Sequence, residues 1–292
     1  MPSQARMDKP GVNISIDTPL PMYYGFLASH SLATPTIAFI FGLTLFSSIL
    51  APFEPNAMDM NHIYEAPTTT HFLGTDQLGR DVLSRLLIGG RVTLFIAIVS
   101  VVLASIIGII YGGISGYFGG AIDAVMMRIL EACLTIPSLV IVLALQAIMQ
   151  GSVWRMAIIM GATSWFVTAR IVRSEFIRLK EAEFVQMAKM FRTPLWKILF
   201  SHLLRNSFPA IFVVTIFNFA GAIFTEVSLS FLGIGVPPAI PSWGTMLYTA
   251  QNDLLVGAWW MGLFPGLLIF ITILCVQAIG STFKKGGERT HV

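Results

Sequence analysis

Val92 to Gly116, VTLFIAIVSVVLASIIGIIYGGISG, is a run of 25 residues without one charged side chain. A helix crosses a hydrocarbon core of about 30 Å in about 20 residues, so this run can span a bilayer. Five further charge-free stretches accompany it, at 32–51, 132–150, 156–169, 207–225 and 257–281. The shortest, 156–169, is closely bounded by Arg155 and Arg170. The chain as a whole is 55% hydrophobic and 11% charged, with a mean hydropathy of +0.77, whereas soluble domains carry about 25% charge. The expectation is an all-α polytopic membrane protein of six transmembrane helices in one domain. The first 31 residues hold no apolar core flanked by a small-residue cleavage site, so the first span is expected to be a retained helix. Pro137 and Pro265 are expected to kink the third and sixth spans.

Charge gives the orientation. Of the 18 Lys and Arg residues, 14 lie in alternate connections: Arg6 and Lys9 before the first span, Arg128 before the third, eight in 170–206, and Lys284, Lys285 and Arg289 after the last. The positive-inside rule places both termini and the 170–206 loop in the cytoplasm, which leaves 52–91 and 233–256 outside. Within 52–91, Thr75 to Arg91 reads as an amphipathic helix along the outer interface, with Asp81 paired to Arg85 at i, i+4. Pro237, Pro238 and Pro241, with Gly233, Gly235 and Gly244, predict a turn-rich cap and no helix in 233–256.

The basic loop 170–206 is too long for a simple connection. Residues 181–191, EAEFVQMAKMF, read as a short helix with Phe184, Met187, Ala188 and Phe191 at i, i+3, i+4 and i+7, and Glu183, Gln186 and Lys189 off that stripe. Thr193 and Pro194 then supply an N-cap and first-position proline for a second helix, Leu195 to Leu204, leading into the fifth span. Two short helices at an angle, parallel to the membrane, are expected. Periodicity alone equally allows an interfacial helix that snorkels its basic residues toward lipid.

Several blocks carry a resemblance. The loop spacing Glu183-Phe184-Val185-Gln186-Met187-Ala188, then Ile198, His202-Leu203-Leu204 and Asn206, resembles the EAA loop of ABC importer permeases. The block from His71 to Arg85, HFLGTDQLGRDVLSR, Gly116 to Gly120, Glu226 to Gly235 and Pro241 to Gly244 resemble the C-type permease of dipeptide, oligopeptide and nickel importers. The resemblance runs from about residue 28 to residue 285. It implies the transmembrane domain of a type I ABC importer. Residues 1–31 would be a cytoplasmic segment, 32–285 the permease domain and 286–292 a cytoplasmic tail. It also implies a homologous permease partner, two ABC ATPases holding ATP and Mg, an extracytoplasmic solute-binding protein and a bacterial or archaeal cytoplasmic membrane. This chain would bind no cofactor itself, and its surroundings are lipid, with no nucleic acid.

In that family the segment corresponding to 181–193 is the coupling helix, which implies ATPase contacts from Glu183, Phe184, Gln186, Met187, Ala188, Lys189, Phe191 and Arg192. Arg192 stands where the family usually has glycine, and Arg205 where it usually has proline. Solute would pass polar groups that face the bundle interior, since such groups are costly in hydrocarbon. Asn218, Glu226 and Ser164 are the candidates, with Thr163, Gln146 and Gln277 beside them, although helix-to-helix hydrogen bonding accounts for each equally well.

Catalysis is not expected. The chain has no H-E-x-x-H, G-x-S-x-G or G-x-x-x-x-G-K-[ST] motif, so ATP hydrolysis would fall to partners. A stand-alone secondary transporter would need ionisable groups at mid-membrane, and the six stretches hold none. A nickel or metallophore importer of the same family is the alternative. Cys133 and Cys275 fall in spans and imply neither a disulfide nor a metal knuckle. His71, Asp76 and Asp81 are explained by capping and pairing on an exposed helix, and His30, His62, His202 and His291 are scattered singly. No metal site is expected.

Overall fold

The computed structural model describes residues 30–149 and 151–289, with side chains from residue 32 to residue 284. The expected cytoplasmic segments 1–31 and 286–292 lie largely outside these residues. Every regular element among the described residues is helical, apart from a single bridge between Thr75 and Asp81. The first apolar stretch forms α1 (His30–Leu45) and the short α2 (Ser47–Leu50). A loop then leads to α3 (Val82–Phe118), 37 residues long. The bent pair α4 (Gly120–Leu134) and α5 (Ser138–Ile148) follows, then α6 (Val153–Thr163), α7 (Phe166–Lys180) and α8 (Glu183–Met190). The chain closes with α9 (Leu195–Phe231), α10 (Trp243–Asp253) and α11 (Trp260–Arg289).

Among the described residues α3, α9 and α11 are long and apolar enough to cross a membrane alone, and α4 with α5 could make one broken span, bent by 76°. Leu32–Leu45 in α1 and the whole of α6 are apolar but shorter. The third and fourth apolar stretches are therefore interrupted. The first break falls at Pro137, whose missing N–H and ring disfavour helix in the preceding turn. Pro265, near the start of α11, leaves that helix continuous.

Three expectations are corrected. Thr75 to Arg91 is not a separate exposed helix: α3 begins at Val82, its N-cap is Asp81, whose carboxylate accepts from the Ser84 amide at 2.8 Å, and it runs straight into the second apolar stretch. Asp81 is thus used as a cap and does not pair with Arg85, which is 2% exposed and donates to the Pro55 carbonyl at 3.1 Å and Asn56 Oδ1 at 3.2 Å. Second, 243–253 is a helix. Ser242 and Thr245 close a capping box that starts it just beyond the prolines. Third, Leu195 to Leu204 is not a separate short helix: it continues through a wider π-turn, Ile198–Leu204, into the fifth apolar stretch.

α3 is the axis of the fold, packed along α7, α6 and α9. Gly112 shows why α7 can come so close, because a Cβ there would overlap the Ala169 carbonyl oxygen. Small residues at this spacing allow backbone-to-backbone packing where apolar side chains gain nothing by leaving lipid.

Candidate functional site

α8 is held in place by its inner face. Val185 and Ala188, three residues apart, are buried with Val172, Phe176 and Leu179 of α7 and Ile198 and Leu203 of α9. Gln186 reaches back to donate to the Lys180 carbonyl at 2.9 Å, which satisfies a free acceptor at the α7 C-terminus. The opposite face is open. Met187 is 56% exposed, Met190 82% and Phe191 78%, with Phe184, Glu183 and Gln186 also exposed and Lys189 half-buried. The stripe of four apolar residues read from periodicity is thus divided: Ala188 faces inward, and Met190 takes its place at the exposed tip. Met190 falls three residues after Met187, so i, i+3 spacing alone could have found it.

The turn after α8 is closed by Arg192 itself. Its φ is +53°, its amide donates to the Lys189 carbonyl at 3.0 Å, and the Thr193 amide donates to the Ala188 carbonyl at 3.0 Å. This bond pair is the Schellman pattern, in which the left-handed position normally belongs to glycine. The chain keeps the sharp bend without glycine. Pro194, extended at φ −61° and ψ 143°, is the N-cap of the next helix, with Leu195 its first residue and no side-chain cap bond, which moves the expected start by one residue.

The three pathway candidates do not gather at one place. Asn218 and Ser164 both line a cleft of about 220 Å³ together with Ser100, Thr163, Gly221 and Thr225. Asn218 also donates to Thr168 Oγ1 at 3.0 Å. Both helix breaks reach this cleft, through Leu134 and Ser138 on either side of the first and Thr163 and Ser164 at the second. Irregular backbone at membrane depth is tolerated where it is buried in protein or lines a watered cavity, so the convergence has a physical reason. Glu226 lies elsewhere. It is 0% exposed and accepts from Thr93 Oγ1 at 2.9 Å, Ser230 Oγ at 2.9 Å and Ser242 Oγ at 3.0 Å, which ties α3, α9 and the start of α10 together. Gln146 is wholly buried in α5 with neither amide atom hydrogen-bonded.

The loop before α3 and the start of that helix hold a charged knot that is buried, not exposed as the sequence pattern predicts. Asp76 takes Arg80 Nε at 2.7 Å and lies 3.7 Å from Arg85 Nε, while His71 Nδ1 contacts Asp81 Oδ1 at 2.9 Å. All five side chains are buried. Tyr64 donates to Asp253 Oδ1 at 2.7 Å. Burial first, then that carboxylate, pushes the Tyr64 hydroxyl up to about 12, and burial raises the Asp253 carboxyl above its ordinary value.

An all-helical bundle with several lipid-length segments, an open amphipathic tip and a polar cleft at helix breaks defines a multi-pass membrane protein built to move a solute. The chain belongs to the family described as binding-protein-dependent transport system inner membrane component, whose pattern matches residues 104–285. It is similar to a putative peptide permease of Brucella suis, 36% identical over 257 residues and 85% of each chain. It is also similar to the dipeptide transport system permease of Bacillus subtilis, 34% identical over 84% of this chain and 76% of the relative, and to the glutathione transport system permease of Pectobacterium atrosepticum, 33% identical over 85% and 82%. Members of such a family are non-catalytic membrane subunits, as the sequence implied.

Proposed function

We propose that this chain forms half of the translocation pathway of an ATP-driven importer for peptides or related small solutes. A homologous permease supplies the other half, two separate ATPases bind ATP and Mg beneath it, and an extracytoplasmic solute-binding protein delivers the cargo. Both termini and α8 face the cytoplasm in this reading, in keeping with the distribution of Lys and Arg. Peptide is preferred to nickel as cargo because the relatives described above are named for peptides, dipeptides and glutathione.

One observation carries the reading: α8 presents Met187, Met190 and Phe191 to solvent while its back is locked to α7 and α9. An apolar helix tip of this kind has the form of a helix-in-groove ligand, with anchors one turn apart. Seated in an ATPase groove, it would pass the motor's movement into the two helices it is fixed to. The test replaces Met187 and Met190 together with aspartate in the assembled transporter. Neither side chain contributes to the buried face, so the chain should fold and insert normally. Substrate-stimulated ATP hydrolysis and uptake should both fall at least tenfold, and unchanged stimulation in a correctly inserted variant would remove α8 from the coupling role.

A further inference from the structure

The loop before α3 brings together three groups that are separated along the sequence. One ligand atom each from His62, Glu65 and His71 lies within 4.8 Å of the other two. The two imidazole rings are 5.7 Å apart between centroids, and His62 Nε2 is 4.0 Å from Glu65 Oε2. Each ring is oriented by a carboxylate of its own: His62 Nδ1 contacts Asp59 Oδ2 at 2.8 Å, and His71 Nδ1 contacts Asp81 Oδ1 at 2.9 Å. A carboxylate only accepts, so the proton of each neutral ring sits on Nδ1 and the lone pair is left on Nε2. This carboxylate–histidine arrangement is the one that raises imidazole basicity toward a metal. Glu65 Oε2 is buried at the atom level and has no hydrogen-bond partner. An orphaned carboxylate oxygen 4.0 Å from His62 Nε2, in a cluster that His71 completes, calls for a cation.

We propose that His62, Glu65 and His71 form a binding site for a divalent transition-metal ion of the zinc class. Two imidazoles and one carboxylate suit such an ion and leave a fourth position open. Metal–ligand bonds of about 2.0–2.2 Å in a tetrahedron set donors about 3.4 Å apart, so the three must close by at most about 1.4 Å from their 4.8 Å. His62 and Glu65, with side chains 47% and 32% exposed, have room to do so. The backbone beneath them is already fixed. The Glu65 amide donates to Thr75 Oγ1 at 2.8 Å, the Thr75 amide donates to the Glu65 carbonyl at 2.9 Å, and Thr75 Oγ1 also donates to the His62 carbonyl. His71 is held by the Asp81 carboxylate that caps α3. A bound ion would therefore clip residues 59–65 to the start of the central helix. This reading needs neither the coupling role of α8 nor the identity of the cargo.

The test uses the full chain, free of any affinity tag, in lipid nanodiscs after chelator treatment. Zn2+ is titrated by calorimetry, and Co2+ by its visible absorption, which reports tetrahedral coordination. Wild type should bind one ion, and H62A and E65Q should each weaken binding at least 100-fold. D59N should weaken it 10–100-fold by releasing the His62 ring. H202A, remote from the loop, should bind as wild type does. These variants leave the Asp81 cap untouched, so folding is not the variable. Absence of saturable one-to-one binding in wild type, or wild-type affinity in H62A and E65Q, would overturn the site.

Discussion

Arg192 should be a worse residue than glycine at its own position. It sits at φ +53° in the left-handed region, which costs an L-residue with a Cβ about 1–2 kcal/mol. Glycine would relieve that strain but return about 0.4–1 kcal/mol of conformational freedom to the unfolded turn. The net gain for R192G is therefore about 1 kcal/mol, which corresponds to about a fivefold smaller opening constant for the turn. The Thr193 amide, bonded to the Ala188 carbonyl, reports that opening directly. Its hydrogen exchange, corrected for intrinsic rate, should slow about fivefold in R192G. R192A keeps a Cβ and should not slow it. If R192A protected the amide as well as R192G does, the effect would arise from removing the guanidinium charge, and the backbone argument would fail.

Other perturbations follow from the packing. G112A should destabilise the protein by about 1–3 kcal/mol, because the new Cβ overlaps the Ala169 carbonyl and overpacked interiors cost that much. G221A, with nothing within 4 Å of the added atom, is its control, and equal unfolding midpoints in detergent would count against the close contact. E226L should cost at least about 2 kcal/mol, since it strands three buried hydroxyls, while uptake per folded molecule in E226Q should match wild type. A selective loss of uptake in E226Q would instead put this carboxyl in the solute path. Asp253 gives a pH test. Its folded carboxyl lies above the ordinary 3.8 because of burial, so the native state holds the proton more tightly than the unfolded chain. Stability from this group is then lost as pH rises through the window above 3.8. D253N keeps an acceptor for Tyr64 and removes that loss, so its stability relative to wild type should be greater at pH 7 than near pH 4. A pH-independent difference would contradict this.

The membrane class, the helix at 183–190 and the bend after it were legible because each depends on local pattern: uncharged runs, i, i+3 spacing and a proline. What escaped depends on distant partners. The pairing of Arg85 with Pro55 and Asn56, and of Tyr64 with Asp253, joins positions some 30 and 189 residues apart, and nothing local announces that Asp76, Asp81 and Arg85 are buried. The meeting of His62 with His71 had the same cause: nine positions apart, they are joined only by the fold of the loop that Thr75 ties together. The helix at 243–253 was missed for a different reason. Prolines and glycines dominated the reading of 233–244, although Ser242 and Thr245 already had capping-box spacing. The exposed face of α8 was half legible, since an amphipathic stripe gives a direction but not which edge of it another helix covers.

The arrangement of breaks constrains how the bundle can move. From α8 inward, Val185 and Ala188 are buried against α7, and α7 lies against α3 at near-backbone contact through Gly112. α3 is anchored at its N-terminus by the Asp81 cap and by the buried ion pairs of the loop before it. Closely packed elements of this kind shift as bodies and do not bend. The chain departs from continuous helix at Thr135–Pro137 and at Ser164–Trp165, and both departures border the cleft that holds Asn218. Gly221, on the same cleft, has open space where a side chain would project. A displacement passed from α8 along α7 would thus reach the polar cleft at the Ser164–Trp165 break, so the same positions that could carry solute are those where the cavity can change shape.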